Sequence, residues 1–164
     1  TTRLIKLCDT FNIPIVSLVD EPGFLIGPDA EKAGTILHGT QAVLATTEST
    51  VPWSTIMIRK SFGVAAAAHY GPDGYVLAWP SAESGPLPLE GGVAVAFKKE
   101  IASAENPEAK RKELEEKMAK NQNPFPRAEA FSVHEIIDPR ETRKYIALWA
   151  ERIQSQLRAK LVSR

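Results

Sequence analysis

The sequence predicts an α/β fold built on a parallel sheet, and three observations carry that expectation. Helical apolar spacing and short apolar runs alternate twice in the first half of the chain. The strand-like runs are apolar at nearly every position, as strands covered on both faces are. Proline or glycine marks each exchange of one pattern for the other, and a mostly helical C-terminal portion follows. With 164 residues, 43% of them hydrophobic, residues 1–164 suffice for a single domain with its own core.

Leu4, Leu7, Cys8 and Phe11 fall at helical spacing, and Asn12 leads through Ile13-Pro14 into Ile15-Val16-Ser17-Leu18-Val19, a buried strand. A loop carrying Pro22, Gly23, Gly27, Pro28 and Gly34 precedes a second helix traced by Ile36, Thr40, Val43, Leu44 and Thr47, which stops before Val51-Pro52. Ser54 to Ile58 is the second strand, the alanine run after Gly63 a short helix, and Tyr75 to Trp79 a third strand closed by Pro80. Gly91-Gly92 opens Val93 to Phe97, whose apolar continuity predicts a helix close to the core, packed on several sides, running to about Ser103. Asn106-Pro107-Glu108 places a cap, a proline and an acid where a helix starts, and that helix, to about Lys120, is solvated apart from Leu114 and Met118. Asn123 to Pro126 is a rigid turn and His134 to Ile137 a short strand. Asp138-Pro139-Arg140-Glu141 caps a last helix whose stripe of Ile146, Trp149, Ile153, Leu157 and Leu161 must dock on the domain or on another subunit.

Composition narrows the function. Twenty basic and twenty acidic residues leave no global field to draw nucleic acid or an acidic membrane surface. No apolar run has membrane-spanning length, and the single Cys8 excludes an internal disulfide, so a soluble, reducing, cytoplasmic setting is expected. His38, His69 and His134 lie far apart in sequence and no metal-binding spacing occurs, so no metal is expected. The chain opens at Thr1-Thr2 without Met and enters a helical pattern at once, which suggests a fragment of a longer protein.

The most informative candidate for chemistry is the passage from Ser54–Ile58 through Arg59-Lys60-Ser61-Phe62-Gly63 into Val64-Ala65-Ala66-Ala67-Ala68. A strand that breaks at glycine and restarts as a small-residue helix presents backbone N–H groups without partners inside the helix, the physics of an oxyanion hole. Asp20-Glu21 ends the first strand at the edge where open α/β sheets bind ligands. Neighbouring strand residues point to opposite faces, so either one acts alone as acid or base or both cap the loop. His38, beside Gly39, can steady an anion, move a proton or bond a backbone carbonyl. Ser61 and Ser84 read as structural, since no base is nominated for either. Gly91-Gly92 fits a phosphate cradle or tight helix packing equally well.

Several ordered motifs together carry a resemblance. They are Asp20-Glu21-Pro22-Gly23-Phe24, Gly34-Thr35-Ile36-Leu37-His38-Gly39, Ala45 to Pro52, Ile58 to Gly63, Ala78-Trp79-Pro80-Ser81-Ala82-Glu83, Asn123-Pro124-Phe125 and Ile137 to Arg143. In this order they resemble the C-terminal half of the carboxyltransferase (β) subunit of biotin-dependent acyl-CoA carboxylases, over nearly the whole chain. The resemblance implies a crotonase-like fold of repeated β/α units and an absent N-terminal half that binds acyl-CoA. It also implies transfer of a carboxyl group between carboxybiotin, borne on a separate carrier, and the α-carbon of an acyl-CoA. By position, Val64 and Ala65, after Gly63, match the backbone amides that hold the biotin oxygen. Phe24, His38, Gly39, Ala66 and Ala67 match substrate-lining positions. The implied partners are the N-terminal half, a biotin carboxyl carrier, a biotin carboxylase component, the acyl-CoA and further copies of the subunit. The implied location is the cytoplasm, or a mitochondrial matrix.

The chain departs from that pattern at four places, one of them Ser84 to Gly92, which replaces the usual run toward Met-Gly-Ala. Val64 replaces a glycine, which keeps its amide useful only if the turn needs no positive φ there. Ala67 replaces the aspartate that tunes acyl selectivity, and Glu21 stands where an apolar residue is usual. Two other readings remain beside carboxyl transfer: a biotin-independent crotonase-type decarboxylase or hydrolase with Glu21 as acid or base, and an inactive fragment or scaffold.

Overall fold

The computed structural model describes residues 1–162, without the side chains of residues 90 and 160–162. Helix α1 (Thr2–Thr10) leads into strand β1 (Ile15–Glu21), and a loop containing a short helix α2 (Pro28–Lys32) leads to α3 (Thr35–Glu48). Strand β2 (Trp53–Phe62) runs straight into α4 (Gly63–Ala67), followed by β3 (Tyr75–Ala78) and β4 (Glu83–Gly85). The rest is helical apart from β5 (Glu135–Ile136): α5 (Leu89–Ala96), α6 (Lys98–Ala102), α7 (Pro107–Ala119), α8 (Phe125–Glu129), α9 (Thr142–Arg152) and α10 (Gln154–Val162).

Among the described residues the five strands pair in parallel in the order β1-β2-β3-β5, with β4 alongside the second half of β2. Strand β2 organises the sheet. Its first half pairs β3 through Ser54–Met57 and its second half pairs β4 through Lys60–Phe62. Against β1 the register jumps between the pairs Val19–Met57 and Glu21–Ser61, so β2 carries extra residues just where it changes partner. Asp20 fills that irregularity, taking Arg59 Nε at 3.0 Å and Lys60 N at 3.2 Å. The guanidinium beside it holds the carboxyl below the ordinary carboxylate range.

Strand alternation assigns the two faces. Trp53 packs with Ile5 of α1 and Ala45 of α3, and Met57 with Val76, Ala78, Val133 and Tyr70. On the opposite face Ile56 and Leu77 pack with Ile137 and with Tyr145 and Ile146 of α9. Helices therefore cover both faces of β2 and β3, as the parallel sheet demands.

Strand β1 departs from the expectation of a fully buried strand. It lies at the sheet edge and only Val19 is buried, while Val16 and Leu18 are exposed because α9 packs on the neighbouring strands. On α1 it is Ile5 and Cys8 that face the core, and Leu4, Leu7 and Phe11 point outward. The helix expected to run from Val93 to about Ser103 is two helices broken at Phe97; Val93 is buried, but Val95 is 77% exposed, so it does not pack on several sides. Asn123–Pro126 is less a turn than the entry to α8, with Pro124 at its cap. The last helix breaks after Arg152: Trp149 and Ile153 are buried, Leu157 is half-buried, and Leu161 of the predicted stripe falls outside the described side chains. Asn106 caps α7 as expected, accepting from Ala109 N at 3.1 Å; Asp138 accepts from Arg140 N at 2.9 Å but caps the 3-10 turn Pro139–Glu141 instead of the last helix, which begins behind Glu141 without a side-chain cap.

A cleft between β1, α3 and α4

Ser17, Val19 and Glu21 share one face of β1, the face that pairs across the sheet with Thr55 and Met57 of β2. After β2 the chain turns at Gly63, forms α4 and returns over that same face. Two side chains fix the return: Thr46 Oγ1 of α3 donates to the Ala68 carbonyl at 2.9 Å, and Thr55 Oγ1 donates to the His69 carbonyl at 2.8 Å. The His69 ring thereby meets β1, with Nδ1 2.9 Å from Ser17 Oγ. Burial keeps the imidazole below its ordinary pKa, against the opposing pull of the Glu21 carboxylate.

These elements enclose a cleft of about 560 Å³, lined by Glu21, Phe24, His38, Gly39, Ala65 and His69, with the start of α1 at its rim. Glu21 Oε1 accepts the Gly23 N–H at 3.0 Å, so one carboxylate oxygen shapes the loop that carries Phe24. Asp20 and Glu21 are thus divided between two jobs, Asp20 at the β2 irregularity and Glu21 at the cleft. Phe24 lies flat against Gly39, where a Cβ would sit only 2.2 Å from the ring. Only glycine permits that approach.

The turn into α4 is built on Gly63 at φ +63°, between extended Phe62 and right-handed helix. Positive φ falls on Gly63 and not on Val64, so valine is accommodated at the second position without strain. Val64, Ala65 and Ala66 occupy the first turn, where amide N–H groups have no acceptor within the helix. Ala65 lines the cleft; Gly63, Val64 and Ala67 are exposed beside it, and Ala66 is buried away from it.

His69 is the residue that sequence reasoning passed over, having weighed it only as a metal ligand. Ser61 bonds Tyr70, Oγ to Oη at 2.7 Å, which accounts for it structurally. Among the described residues no three His, Cys, Asp or Glu side chains gather as a metal ion needs, and no helix is long and apolar enough to cross a membrane.

With this geometry in place, comparison with known proteins is informative. A family model described as "Carboxyl transferase domain" matches residues 1–164. The chain is 42% identical over 146 residues to the carboxyltransferase subunit of propionyl-CoA carboxylase from Haloferax mediterranei, covering 86% of this chain and 28% of that subunit. It is also 42% identical over 149 residues to the methylmalonyl-CoA carboxyltransferase 12S subunit of Propionibacterium freudenreichii, covering 88% of this chain and 28% of the relative. A crystal structure of transcarboxylase 12S superposes with a TM-score of 0.83 at 40% identity, over 94% of this chain and 30% of that one. The β subunit of geranyl-CoA carboxylase from P. aeruginosa superposes equally well, at 0.83 over 92% of this chain and 30% of that one; at 22% identity it speaks for the fold alone. The crotonase-like α/β fold expected from the motifs is the fold observed. The chain spans less than a third of the length of these relatives.

Proposed function

This chain belongs to the carboxyl transferase domain family, and from that premise we propose that it is the C-terminal half of a carboxyltransferase subunit, moving a carboxyl group between carrier-linked carboxybiotin and the α-carbon of an acyl-CoA. The observation that carries this reading is the Gly63 turn: a left-handed glycine at the end of β2 that opens α4 beside a cleft, with Ala65 in its wall. When bound, biotin supplies the carboxyl group and, once that has left, the base. The protein therefore needs no nucleophile of its own, and its task is to steady charge. The amides of Val64 and Ala65 donate to the biotin ureido oxygen where negative charge develops, preorganised by the turn so that no dipole reorients during the reaction. Phe24, packed on Gly39, and His38 beside it form the wall against which the reactants are positioned. Ala66 supports the turn from the core, and Ala67 leaves the outer position uncharged.

The partners are those the family resemblance implies, and exposed apolar surface is available to receive them. Leu4 and Leu7 of α1 share one helix face, with Phe11 just beyond its end, and Val16 and Leu18 share one strand face, all exposed. The two patches lie on opposite sides of the β1 edge, since α1 packs on the Ile15 face, and each offers apolar surface to a partner. The N-terminal half of a carboxyltransferase, further copies of the subunit, a biotin carboxyl carrier and a biotin carboxylase component complete the assembly, in a cytoplasmic or matrix compartment. One solved relative is described as a hexamer.

The test is transfer by the complete enzyme with carrier-linked biotin across acetyl-, propionyl- and longer acyl-CoA. Biotin-dependent carboxylation is expected. A second reading rests on Glu21 lining the cleft: biotin-independent loss of CO₂ from a carboxyacyl-CoA, abolished by Glu21→Gln, would replace the first. Gly39→Ala checks the wall separately. Its Cβ must push the Phe24 ring aside, and because the ring can swing, kcat/KM should fall about tenfold while the unfolding midpoint moves little.

A further inference from the structure

Glu21 and His69 have no part in the amide-based chemistry above, yet they are its polar neighbours. Each is half committed. Glu21 spends Oε1 on the Gly23 amide, and His69 spends Nδ1 on Ser17, so the second oxygen of one and Nε2 of the other are left to the cleft they line. The rest of the wall is half apolar or small, with Phe24, Gly39, Ala42 and Ala65, and half polar, with Thr35 and Gln41 among its uncharged groups. Arg3 and His38 are the other titratable groups on the lining.

A carboxylate beside an imidazole in such surroundings has a definite chemical demand. A substrate that fills the cleft strips water from both groups, and that costs free energy unless the substrate returns a hydrogen bond. An unsubstituted acyl chain returns none. A carboxylate on the substrate would be repelled by Glu21, whereas a hydroxyl or another O–H or N–H donor can lie between the free oxygen and Nε2.

We propose that Glu21 and His69 form a recognition pair for a hydrogen-bond donor on the acyl chain, so that the protein prefers a hydroxyacyl-CoA to the matching unsubstituted acyl-CoA. Ser17 is its positioning residue, fixing the ring so that Nε2 faces the cleft. The biotin ureido N–H offers similar chemistry, and the experiment below separates the two reactants. The proposal rests on the carboxyltransferase reading for its reaction, though not for its binding.

The experiment compares 3-hydroxybutyryl-CoA with butyryl-CoA in the complete enzyme, by kcat/KM and by equilibrium Kd. Wild type should favour the hydroxylated substrate by about tenfold or more, and Glu21→Leu should bring both ratios close to one. His69→Leu should lower them part of the way. Equal ratios in wild type and Glu21→Leu overturn the proposal, as does a Glu21→Leu effect confined to the KM for carrier-linked biotin. If no acyl-CoA is carboxylated but the Kd ratio still collapses in Glu21→Leu, the recognition pair stands and the reaction assigned above falls.

Discussion

Gly63→Val is expected to lower kcat for carboxyl transfer by about 10²-fold while changing the apparent affinity for acyl-CoA far less. The expectation follows from where the strain lands. Gly63 holds φ at +63°, a region that L residues enter at a cost and β-branched ones hardly at all. A Cβ there would meet the Pro86 carbonyl oxygen at 3.4 Å, an ordinary contact, so the strain is conformational. The chain relieves this by rotating the turn, and the amides of Val64 and Ala65 rotate with it, away from the position where the oxyanion develops. The cost to stability should be about 1–3 kcal/mol, small enough for a folded enzyme to be assayed. Steady-state kinetics with denaturation of the same preparation separates the effects, and an unchanged kcat in a folded variant would remove the turn from the chemistry. Valine one position later is harmless by the same argument, because Val64 already sits in right-handed helix.

That contrast also shows what the sequence could reveal. The Gly63 turn was legible because its conformational demand falls on one residue type at one point between a strand and a helix. The sheet was legible because apolar runs such as Ile15–Val19 and Ser54–Ile58 are local patterns. Burial of β1 was misread for a physical reason: Val16 and Leu18 are as apolar as a doubly covered strand requires, but α9 covers β2 and β3 instead. An apolar run records that a face is to be covered, and says nothing of whether the same chain covers it. The breaks at Phe97 and after Arg152 left no mark, since neither a proline nor a glycine makes them. His69 was hidden by distance along the chain. Its ring partner, Ser17, lies 52 positions away, and only the pairing of β1 with β2 brings them together. The signal left unread was the alternation of Ser17, Val19 and Glu21, which puts a hydroxyl and a carboxylate on one strand face.

Trp53→Ala is expected to cost about 3–5 kcal/mol of stability, the range for removing a large buried aromatic ring. Trp53 opens β2 and is the widest member of the cluster that joins α1, α3 and the sheet through Ile5, Ala45, Val51 and Ile15. Its indole N–H donates to Ser49 Oγ at 3.1 Å, so truncation leaves both a cavity and a buried hydroxyl without its partner. The ring also lies on Gly71, close enough that a Cβ there would overlap it, so it supports the loop behind α4 beside the hydrogen bonds from Thr46 and Thr55. Urea denaturation should show a lower midpoint with an unchanged slope, the signature of lost stability rather than an altered unfolded state. Trp53→Phe separates the contributions. It keeps an aromatic ring against Gly71 while losing the bond to Ser49, and should recover more than half of the loss. Because the same loop carries His69 toward Ser17, Trp53→Ala should also weaken discrimination between hydroxylated and plain acyl-CoA at temperatures where the protein is still folded. A loss below about 1 kcal/mol would mean that the surrounding side chains collapse into the space, and the cluster would then be a filler rather than the support on which the return of the chain over β1 depends.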